Sequence, residues 1–380
     1  MSIKSPTVSV IILASDENRY LLETIDSVRQ QSFANFEIIV CYGGKSSDFD
    51  RWFESQSSKD RRLKLLIAKD LDAVRVLNLG IESARGEYIA FLKADDLWHP
   101  NKLQKQIFLL ENYPKVGLIH SWLSVVDEKA QQKGKTIKNQ IYGWVESDIL
   151  KRNRIGFSSV VVRRHCPYMV GVFDPNLKTS FDWDMWIRLS RCYQFMAIAE
   201  PLVYQRQAAD RVKDSWLNAE KDLQVAIEQA YQNVPEQLLP FKAQSYSYAS
   251  LDLAWQVLRN QNPDPEIAYH YCRQAMEHFP GISFSQEFLQ ISIAVATMSW
   301  LKSDRYQAVI YSINAIRSFL QMINDKFRLS AHLLLNWMLQ EETRNDEQRR
   351  VATPHVGTRK SQTPRRRKAQ GNAEIRGTGN

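Results

Sequence analysis

The sequence predicts an α/β protein whose mostly parallel mixed sheet carries helices on both faces and is followed by a helical segment. The first observation is a continuous, largely β-branched run from Val8 to Leu13, typical of a strand buried on both faces. The second is the alternation of such strands with segments of helical periodicity, which predicts parallel strands joined by crossover helices. The third is a change beyond Asp214, where helical periodicity continues without strand signals.

The amino-terminal elements follow from the spacing of their apolar residues. Leu22, Ile25 and Val28 recur at helical spacing between the first two strands, which gives a βαβ start. A later helix ends before Pro114, as expected where proline stops a helix. In chain order, the predicted elements here are strand 8–13, helix 19–31, strands 36–41 and 63–67, helix 73–84, strand 88–92, helix 102–112 and strand 116–122.

The next segment is more polar. Residues 124–142 predict a hairpin with its turn at Lys133-Gly134-Lys135, and His165 is expected in a strand or turn without a metal role. The remaining predicted elements before Asp214 are strand 158–163, a turn at 171–175, helix 182–192 and strands 195–199 and 202–205.

Helical periodicity with short breaks continues after Asp214, and it predicts antiparallel helical hairpins of tetratricopeptide character, although no repeat recurs at a fixed period. Aromatic side chains in these helices are expected in the hairpin core, with partner binding as the less favoured interpretation. The predicted helices are 217–231, 238–258, 265–279, 285–301 and 305–320, and the aromatic residues are Tyr246, Tyr248, Trp255, Tyr269 and Tyr271.

Charge is concentrated at the carboxyl end of the 380-residue chain. Residues 349–380 hold nine basic residues and one acid, which accounts for the whole net charge of +8. Such a segment has too few apolar residues to fold, so we expect a disordered basic tail, and its attraction to membrane surfaces or nucleic acid is unspecific. The expected domains are therefore 1–214, 215–342 and a tail of 343–380.

Cysteine usage and hydropathy indicate the cellular compartment in which we expect the protein. The four cysteines form no Cys-x-x-Cys pair, which favours buried thiols in a reducing compartment. We expect no leader, because residues 1–6 run directly into the first strand, and the longest apolar run, 291–301, is shorter than the roughly 20 residues of a membrane span. We expect a cytoplasmic protein, with peripheral membrane attraction through the basic tail.

The strongest chemical motif lies in Gly86–Pro100, where an apolar strand runs directly into Asp95 and Asp96. Ligands bind at the carboxyl ends of strands in open α/β sheets, and carboxylate oxygens suit Mg²⁺ or Mn²⁺ carrying a diphosphate. The alternative is that both aspartates merely cap the helix that begins near Pro100.

Six segments of the chain follow one another in a characteristic order: 6–12, 25–33, 36–40, 78–81, 86–100 and 181–189. This order resembles the family 2 inverting glycosyltransferases, which have the GT-A fold, over residues 6 to about 210. This resemblance implies a transfer from a nucleoside-diphosphate sugar to an acceptor hydroxyl with inversion, and it favours polysaccharide or glycoconjugate synthesis with a glycan or lipid-linked acceptor. No specific nucleic-acid partner is expected.

The resemblance also implies roles for individual residues. Asp182 matches the aspartate that serves as general base, although an aspartate at a helix start can equally be an N-cap. Asp95 would hold Mn²⁺ or Mg²⁺, weakly bound or dispensable, together with the diphosphate. The other expected donor-side residues are Asp96, Lys93, Asp16 and Tyr42, and the expected acceptor-side residues are Trp98, Trp183 and Asp184.

This chain departs from the family pattern on the donor side. Lys93 replaces the first aspartate of Asp-x-Asp, Leu77 replaces an arginine, and Gln207 follows Arg206 where histidine is frequent. A lysine could replace part of the metal's charge, mark a site without catalysis, or simply pair with Asp95 or Asp96. The alternative function is therefore a weak or inactive transferase-like module that recruits a partner through its helical segment.

Overall fold

The computed structural model describes residues 5–14, 19–44, 47–68, 71–206, 215–260 and 262–300. The strands are β1 (Val8–Ala14), β2 (Phe36–Tyr42), β3 (Leu63–Ile67), β4 (Tyr88–Lys93), β5 (Leu97–Trp98), β6 (Val116–Val126), β7 (Gln132–Ile137), β8 (Val161–Arg163) and β9 (Gln194–Arg206). The α-helices are α1 (Leu21–Arg29), α2 (Ser47–Ser57), α3 (Ala73–Ser83), α4 (Lys102–Asn112), α5 (Glu146–Lys151), α6 (His165–Val170), α7 (Phe181–Cys192), α8 (Ser215–Ala230), α9 (Phe241–Leu258), α10 (Pro265–His278) and α11 (Gln286–Trp300).

The described strands form one mixed sheet in the order β3-β2-β1-β4-β8-β6-β9-β5, with β7 added beside β6. Strands β3, β2, β1 and β4 pair in parallel with one another, as do β6 and β9, whereas β8 joins the two groups by antiparallel pairing with β4 and β6. The predicted mixed α/β sheet with helices on both faces is confirmed. Because β1, β2 and β4 run in the same direction, their carboxyl ends meet at one edge.

Helices cover both faces of the sheet, as the buried strands require. Ile11 of β1 packs in the core layer beneath α3 and α7, whereas its neighbours Val10 and Ile12 pack in the layer beneath α1 and α4. This alternation follows the two-residue period of a strand. Helix α3 approaches the sheet closely at Gly80, where an added Cβ would lie 2.5 Å from Cys41 Sγ.

Several predicted elements need correction. Lys133-Gly134-Lys135 lies within β7, and the hairpin turns earlier, where the Asp127 carboxylate accepts hydrogen bonds from two backbone amides of the turn. His165 begins helix α6, and the predicted strand 158–163 starts as a short 3₁₀ helix, Phe157–Ser159, before β8. Helices α2 and α5 were not predicted, and the two predicted last strands are one long strand, β9.

The helical segment shares the core of the sheet. Ala226 and Ile227 of α8 and Ala249 of α9 belong to the same buried cluster as Trp186 of α7. A second apolar cluster joins α9, α10 and α11 and includes Leu251. Among the aromatic residues expected in the hairpin core, Trp255 and Tyr271 are buried, whereas Tyr269 is exposed.

No helix in the described ranges is long and apolar enough to cross a membrane. The predicted helix 305–320, the expected boundary at 342 and the basic tail 343–380 lie outside the described residues, as do Asp16 and Gln207.

Candidate active site

The turn after β4 carries Lys93, Asp95 and Asp96 at the carboxyl edge of the sheet. Lys93 is in register with Leu13 of β1, and the amide of Ala94 donates to the Leu13 carbonyl at 3.1 Å. Thr24 of α1 donates its hydroxyl to the carbonyls of Ala94 and Asp96, both at 2.9 Å. Contacts from two neighbouring elements therefore fix the shape of this turn.

Asp96 is buried and fully engaged. Its Oδ2 accepts a 2.5 Å hydrogen bond from the Ser158 hydroxyl, and its Oδ1 accepts from the Arg206 amide at 3.1 Å. Burial raises the pKa of this carboxyl to about 6, and the neighbouring charge of Asp95 adds to the increase, while Ser158 and Lys93 oppose it. Asp96 thus holds the turn together instead of presenting a free carboxylate to a donor.

Arg206, at the end of β9, supports the same turn from the other side. Its Nε donates to the Asp95 carbonyl at 3.1 Å, and another nitrogen of its buried guanidinium donates to the carbonyl of Glu128. Arg206 also forms an ion pair of 2.6 Å with Glu23, and its Cζ lies 4.0 Å from the centroid of the Tyr20 ring. Because this buried charge has so many partners, the Arg206 side chain is held in one position and has a structural role in the turn.

Asp95 differs from Asp96 because its side chain is partly exposed and receives no hydrogen bond or ion pair from the described residues. Lys93 is also partly exposed, and its amide donates to the Ser158 hydroxyl at 3.1 Å. No ion pair joins Lys93 to Asp95 or Asp96, so simple pairing, one of the three predicted interpretations of this lysine, is absent between these described residues. Ammonium and carboxylate are both left available to a ligand.

Asp182 lies in the first turn of α7, one residue after the helix begins at Phe181. Its Oδ1 accepts from the Trp183 amide at 2.8 Å and from Asn153 Nδ2 at 3.3 Å. Burial raises the pKa of this carboxyl, whereas the positive charge of Lys93 is the strongest influence that lowers it. Lys93 therefore acts electrostatically on Asp96 and on Asp182, which links the turn after β4 to the start of α7.

The capping interpretations of these aspartates fit the structure poorly. Helix α4 has Asn101 at its N-cap, so neither Asp95 nor Asp96 caps it. Ser180 is the N-cap residue of α7, and Asp182 bonds only the amide of the next residue, Trp183, within that helix.

Four other residues predicted for the site are held inside the protein. Trp98 donates its indole NH to the Ser158 carbonyl at 2.9 Å, and Tyr42 is buried with its ring 4.0 Å from that of Phe49. Trp183 is buried and donates to the Ile149 carbonyl at 2.7 Å.

Asp184 forms a 2.7 Å ion pair with Arg188, whose guanidinium also donates to the carbonyls of residues 170–172. The donor-side role predicted for Tyr42 and the acceptor-side roles predicted for Trp98, Trp183 and Asp184 therefore gain no support from the geometry.

A divalent metal would find one available protein oxygen ligand in this turn. The described residues contain no cluster of three or more histidine, cysteine or acidic side chains that could hold a metal. The Asp95 carboxylate fits the pattern in which Mg²⁺ binds one or two carboxylates, substrate phosphates and waters. The residues present therefore suit a metal that enters with a diphosphate better than one bound by protein alone.

The sequence did not single out Ser158 or Asn153, and it treated Arg206 only as the neighbour of Gln207. Ser158 bonds both Asp96 and the amide of Lys93, and Asn153 bonds Asp182. These contacts join residues 29 to 110 positions apart, so no local pattern could reveal them. The only signal in the sequence for such supporting residues was the presence of polar residues beside the ends of predicted strands.

Comparison with known proteins identifies relatives of the sheet-containing part. The family model described as glycosyl transferase family 2 matches residues 9–168. An uncharacterized glycosyltransferase of Methanocaldococcus jannaschii is 30% identical over 207 residues, which is 53% of this chain and 71% of the relative. The amylovoran biosynthesis glycosyltransferase AmsB of Erwinia amylovora is 28% identical over 220 residues, covering 52% of this chain and 69% of the relative.

Among solved structures, the mannosyltransferase PcManGT from Pyrobaculum calidifontis, in complex with GDP-Man and Mn²⁺, aligns with a TM-score of 0.49 and 16% identity. The alignment covers 85% of this chain and 89% of that protein.

Proposed function

This chain belongs to glycosyl transferase family 2, and from that membership we propose that it transfers a sugar from a nucleoside-diphosphate sugar to an acceptor hydroxyl with inversion. One observation carries the proposal at the level of residues. The Asp95 carboxylate and the Lys93 ammonium, neither of which has an ion-pair partner within the described ranges, lie at the carboxyl edge of the sheet, and the charge of Lys93 acts on a further carboxylate, Asp182, at the start of α7. The arrangement supplies groups for a diphosphate and for an acceptor proton.

In this proposal, Asp182 is the general base. The acceptor oxygen attacks the anomeric carbon while Asp182 takes its proton, and the bond to the diphosphate breaks on the opposite face of the sugar, which inverts the anomeric configuration. Burial raises the pKa of Asp182 and so makes it a stronger proton acceptor, while Lys93 and Asn153 favour the ionised form that can act.

Lys93 serves the departing diphosphate in this scheme. A fixed ammonium beside the leaving group stabilises negative charge as it develops. Asp95 would hold a divalent metal that arrives with the donor, and such a metal would neutralise the diphosphate as a Lewis acid. In this scheme Asp96, Ser158 and Arg206 fix the geometry of the turn.

We further propose a glycan or lipid-linked acceptor in polysaccharide or glycoconjugate synthesis. The relative named for amylovoran biosynthesis supports this class of product.

The proposed function is tested by incubating the full chain with a panel of nucleoside-diphosphate sugars and Mn²⁺ and measuring release of the nucleoside diphosphate. Wild-type protein should release it from at least one donor, and Asp182→Asn should bind that donor without releasing the product. Binding without release by the wild type would instead favour the transferase-like module without catalysis. Neither binding nor release with any donor would contradict the proposed transfer and leave only the module that recruits a partner through its helical segment.

A further inference from the structure

Residues 149–153, here called the α5 junction, lie between the start of α7 and the helical segment. On the α7 side, the Ile149 carbonyl accepts the Trp183 indole NH at 2.7 Å, and Asn153 Nδ2 donates to Asp182 at 3.3 Å. Two successive residues of α7 are thus bonded to the junction. One of them is the candidate base.

The same junction is held by the helical segment. The Leu150 carbonyl accepts a 2.8 Å hydrogen bond from the Ser245 hydroxyl of α9, and Lys151 Nζ lies 3.9 Å from the Phe241 ring centroid. The carbonyls of Ile149 and Leu150 belong to the last turn of α5, which has no intrahelical donors for them. One of these orphan carbonyls is therefore satisfied by α7 and the other by α9.

Arg152 carries the strongest link. Its guanidinium forms ion pairs with Asp252 of α9 and Glu287 of α11, including hydrogen bonds of 3.2 Å from Nε to Asp252 and 2.9 Å to Glu287. All three side chains are at least half-buried, with exposed fractions of 20%, 36% and 20%. Both carboxylates favour the charged guanidinium and raise its pKa, which opposes the effect of burial. Removing one partner from such a group leaves charge uncompensated and loosens its position.

Asn153 is fixed by its neighbours along the chain. Its Oδ1 accepts from the Ile155 amide at 3.2 Å, so its amide group is bonded at both ends and cannot rotate without losing a partner. The next residue, Arg154, accepts at its carbonyl from Asn139 Nδ2 at 2.8 Å. The backbone that carries Asn153 is therefore anchored on one side by Arg152 and on the other by Asn139.

We propose that the helical segment positions the candidate base: Asp252 and Glu287 hold Arg152, and Arg152 sets the place of Asn153, which orients Asp182. This inference rests on the proposed function for the role of Asp182. Asn153 and Arg152 are positioning residues, and neither acts on the sugar. The segment is thus part of the working transferase, and more than a module for recruiting partners.

The test uses the full chain with Asp252→Asn and Glu287→Gln, singly and together, beside Asn153→Ala. Each should lower kcat by about tenfold to hundredfold, since a small misplacement of a catalytic group costs up to about hundredfold, while the Kd of the donor stays unchanged. The acid limb of the pH–rate profile should move to higher pH, because loss of the Asn153 donor raises the pKa of Asp182. Asp252→Glu, which keeps the charge, should retain most activity.

Glu277→Gln is the matched control, because Glu277 pairs at 3.3 Å with Arg273 on the exposed face of α10 and does not contact the junction. It should leave kcat and the pH profile unchanged. The proposal is overturned if the variants lose kcat and donor affinity equally. It is also overturned if the acid limb of the pH–rate profile does not move in Asn153→Ala and the double variant, because the junction would then be a purely structural interface.

Hydrogen exchange separates this inference from the proposed function, since it needs no turnover. The amides of Ile155 and Trp183 bond Asn153 and Asp182, so peptides containing them should exchange faster in the double variant than in Glu277→Gln. If wild-type protein transfers no sugar, the proposed function fails while this measurement still reports on the linkage. Unchanged exchange in both peptides would refute the linkage itself. Should the double variant not fold, Arg152→Lys and Asn153→Ala give the same comparison.

Discussion

The hydroxyl of Ser158 donates a 2.5 Å hydrogen bond to the buried carboxylate of Asp96. The two residues are 62 positions apart, and the same hydroxyl accepts from the amide of Lys93 at 3.1 Å. Ser158 therefore links the last residue of β4 to the carboxylate three residues later. The turn that presents Asp95 depends on this bond.

The first prediction concerns the pH dependence of stability. The pKa of Asp96 is raised from its usual 3.8 to about 6 in the folded protein, so the folded state binds more protons than the unfolded state between these values. Its contribution is fully present below about pH 4 and is lost as pH rises to about 6, a change on the order of 3 kcal/mol. Asp96→Asn removes this pH-dependent contribution to stability. The free energy of unfolding of the variant minus that of wild type should therefore increase as the pH rises from about 4 to about 6.

Denaturant unfolding of both proteins at several pH values between 4 and 7 measures this difference. Asp148→Asn, which alters an exposed carboxylate on α5, serves as the control for the loss of a surface charge. A difference that stays constant with pH would mean that Asp96 titrates normally.

The second prediction concerns catalysis. Asp182→Asn keeps the shape of the side chain but cannot accept the acceptor's proton, so kcat should fall by about 10²- to 10⁴-fold. The Kd of the donor should remain within about twofold, because the base acts on the acceptor and not on the diphosphate. Steady-state kinetics and calorimetric titration of the donor measure the two quantities. Full turnover in this variant would remove Asp182 from the mechanism, and Asp148→Asn again supplies the comparison.

The third prediction concerns packing of α3 on the sheet. A methyl group at residue 80 would lie 2.5 Å from Cys41 Sγ and 3.0 Å from Ile11 Cγ2, so Gly80→Ala should destabilise the protein by about 1–3 kcal/mol. Cys41→Ala removes the nearest atom. The double variant should therefore be less destabilised than the sum of the single variants, as measured by denaturant unfolding. Strict additivity would show that the helix moves away from the sheet at no cost.

The sequence predicted the elements whose apolar spacing is strong. β1, β2 and β4 are mostly apolar, and their period and order were enough to predict a parallel group with its carboxyl ends at one edge. Helix α2 was not predicted because much of its sequence is polar. Its aromatic residues Phe49 and Phe53 pack against other aromatic rings only in the folded protein. Strand β7 is likewise polar, and its pairing with β6 decides its conformation.

The candidate site was predictable where residues follow a strand or begin a helix, as Asp95 and Asp182 do. Their environments were not. Trp98 was expected on the acceptor side, yet its indole NH bonds a backbone carbonyl inside the protein, and burial of an aromatic residue depends on what packs against it. Ser158, Asn153 and Arg206 act through contacts between distant segments, which a single sequence does not record.

The last prediction tests Lys93, the residue that departs most from the family pattern. If its ammonium replaces part of the charge of a metal, Lys93→Ala should weaken binding of a nucleoside diphosphate in the presence of a chelator. Lys93→Asp restores the family's carboxylate beside Asp95, so binding should become more dependent on Mn²⁺, because the added negative charge must be neutralised before a diphosphate can approach. Lys105→Ala, which removes a partly exposed lysine paired at 2.5 Å with Glu200, is the control for a general loss of positive charge.

Titration of UDP and GDP against the wild type and these variants, with Mn²⁺ and with chelator, measures the effect. Lys93 has no ion pair with Asp95 or Asp96, so its replacement removes no such bond and should change stability little. A change in binding can therefore be attributed to the lost ammonium. Asp182 supplies an internal check: since Lys93 lowers the pKa of that carboxyl, the acid limb of activity should move to higher pH in Lys93→Ala. Identical metal dependence in all four proteins would refute charge replacement and would favour the transferase-like module without catalysis.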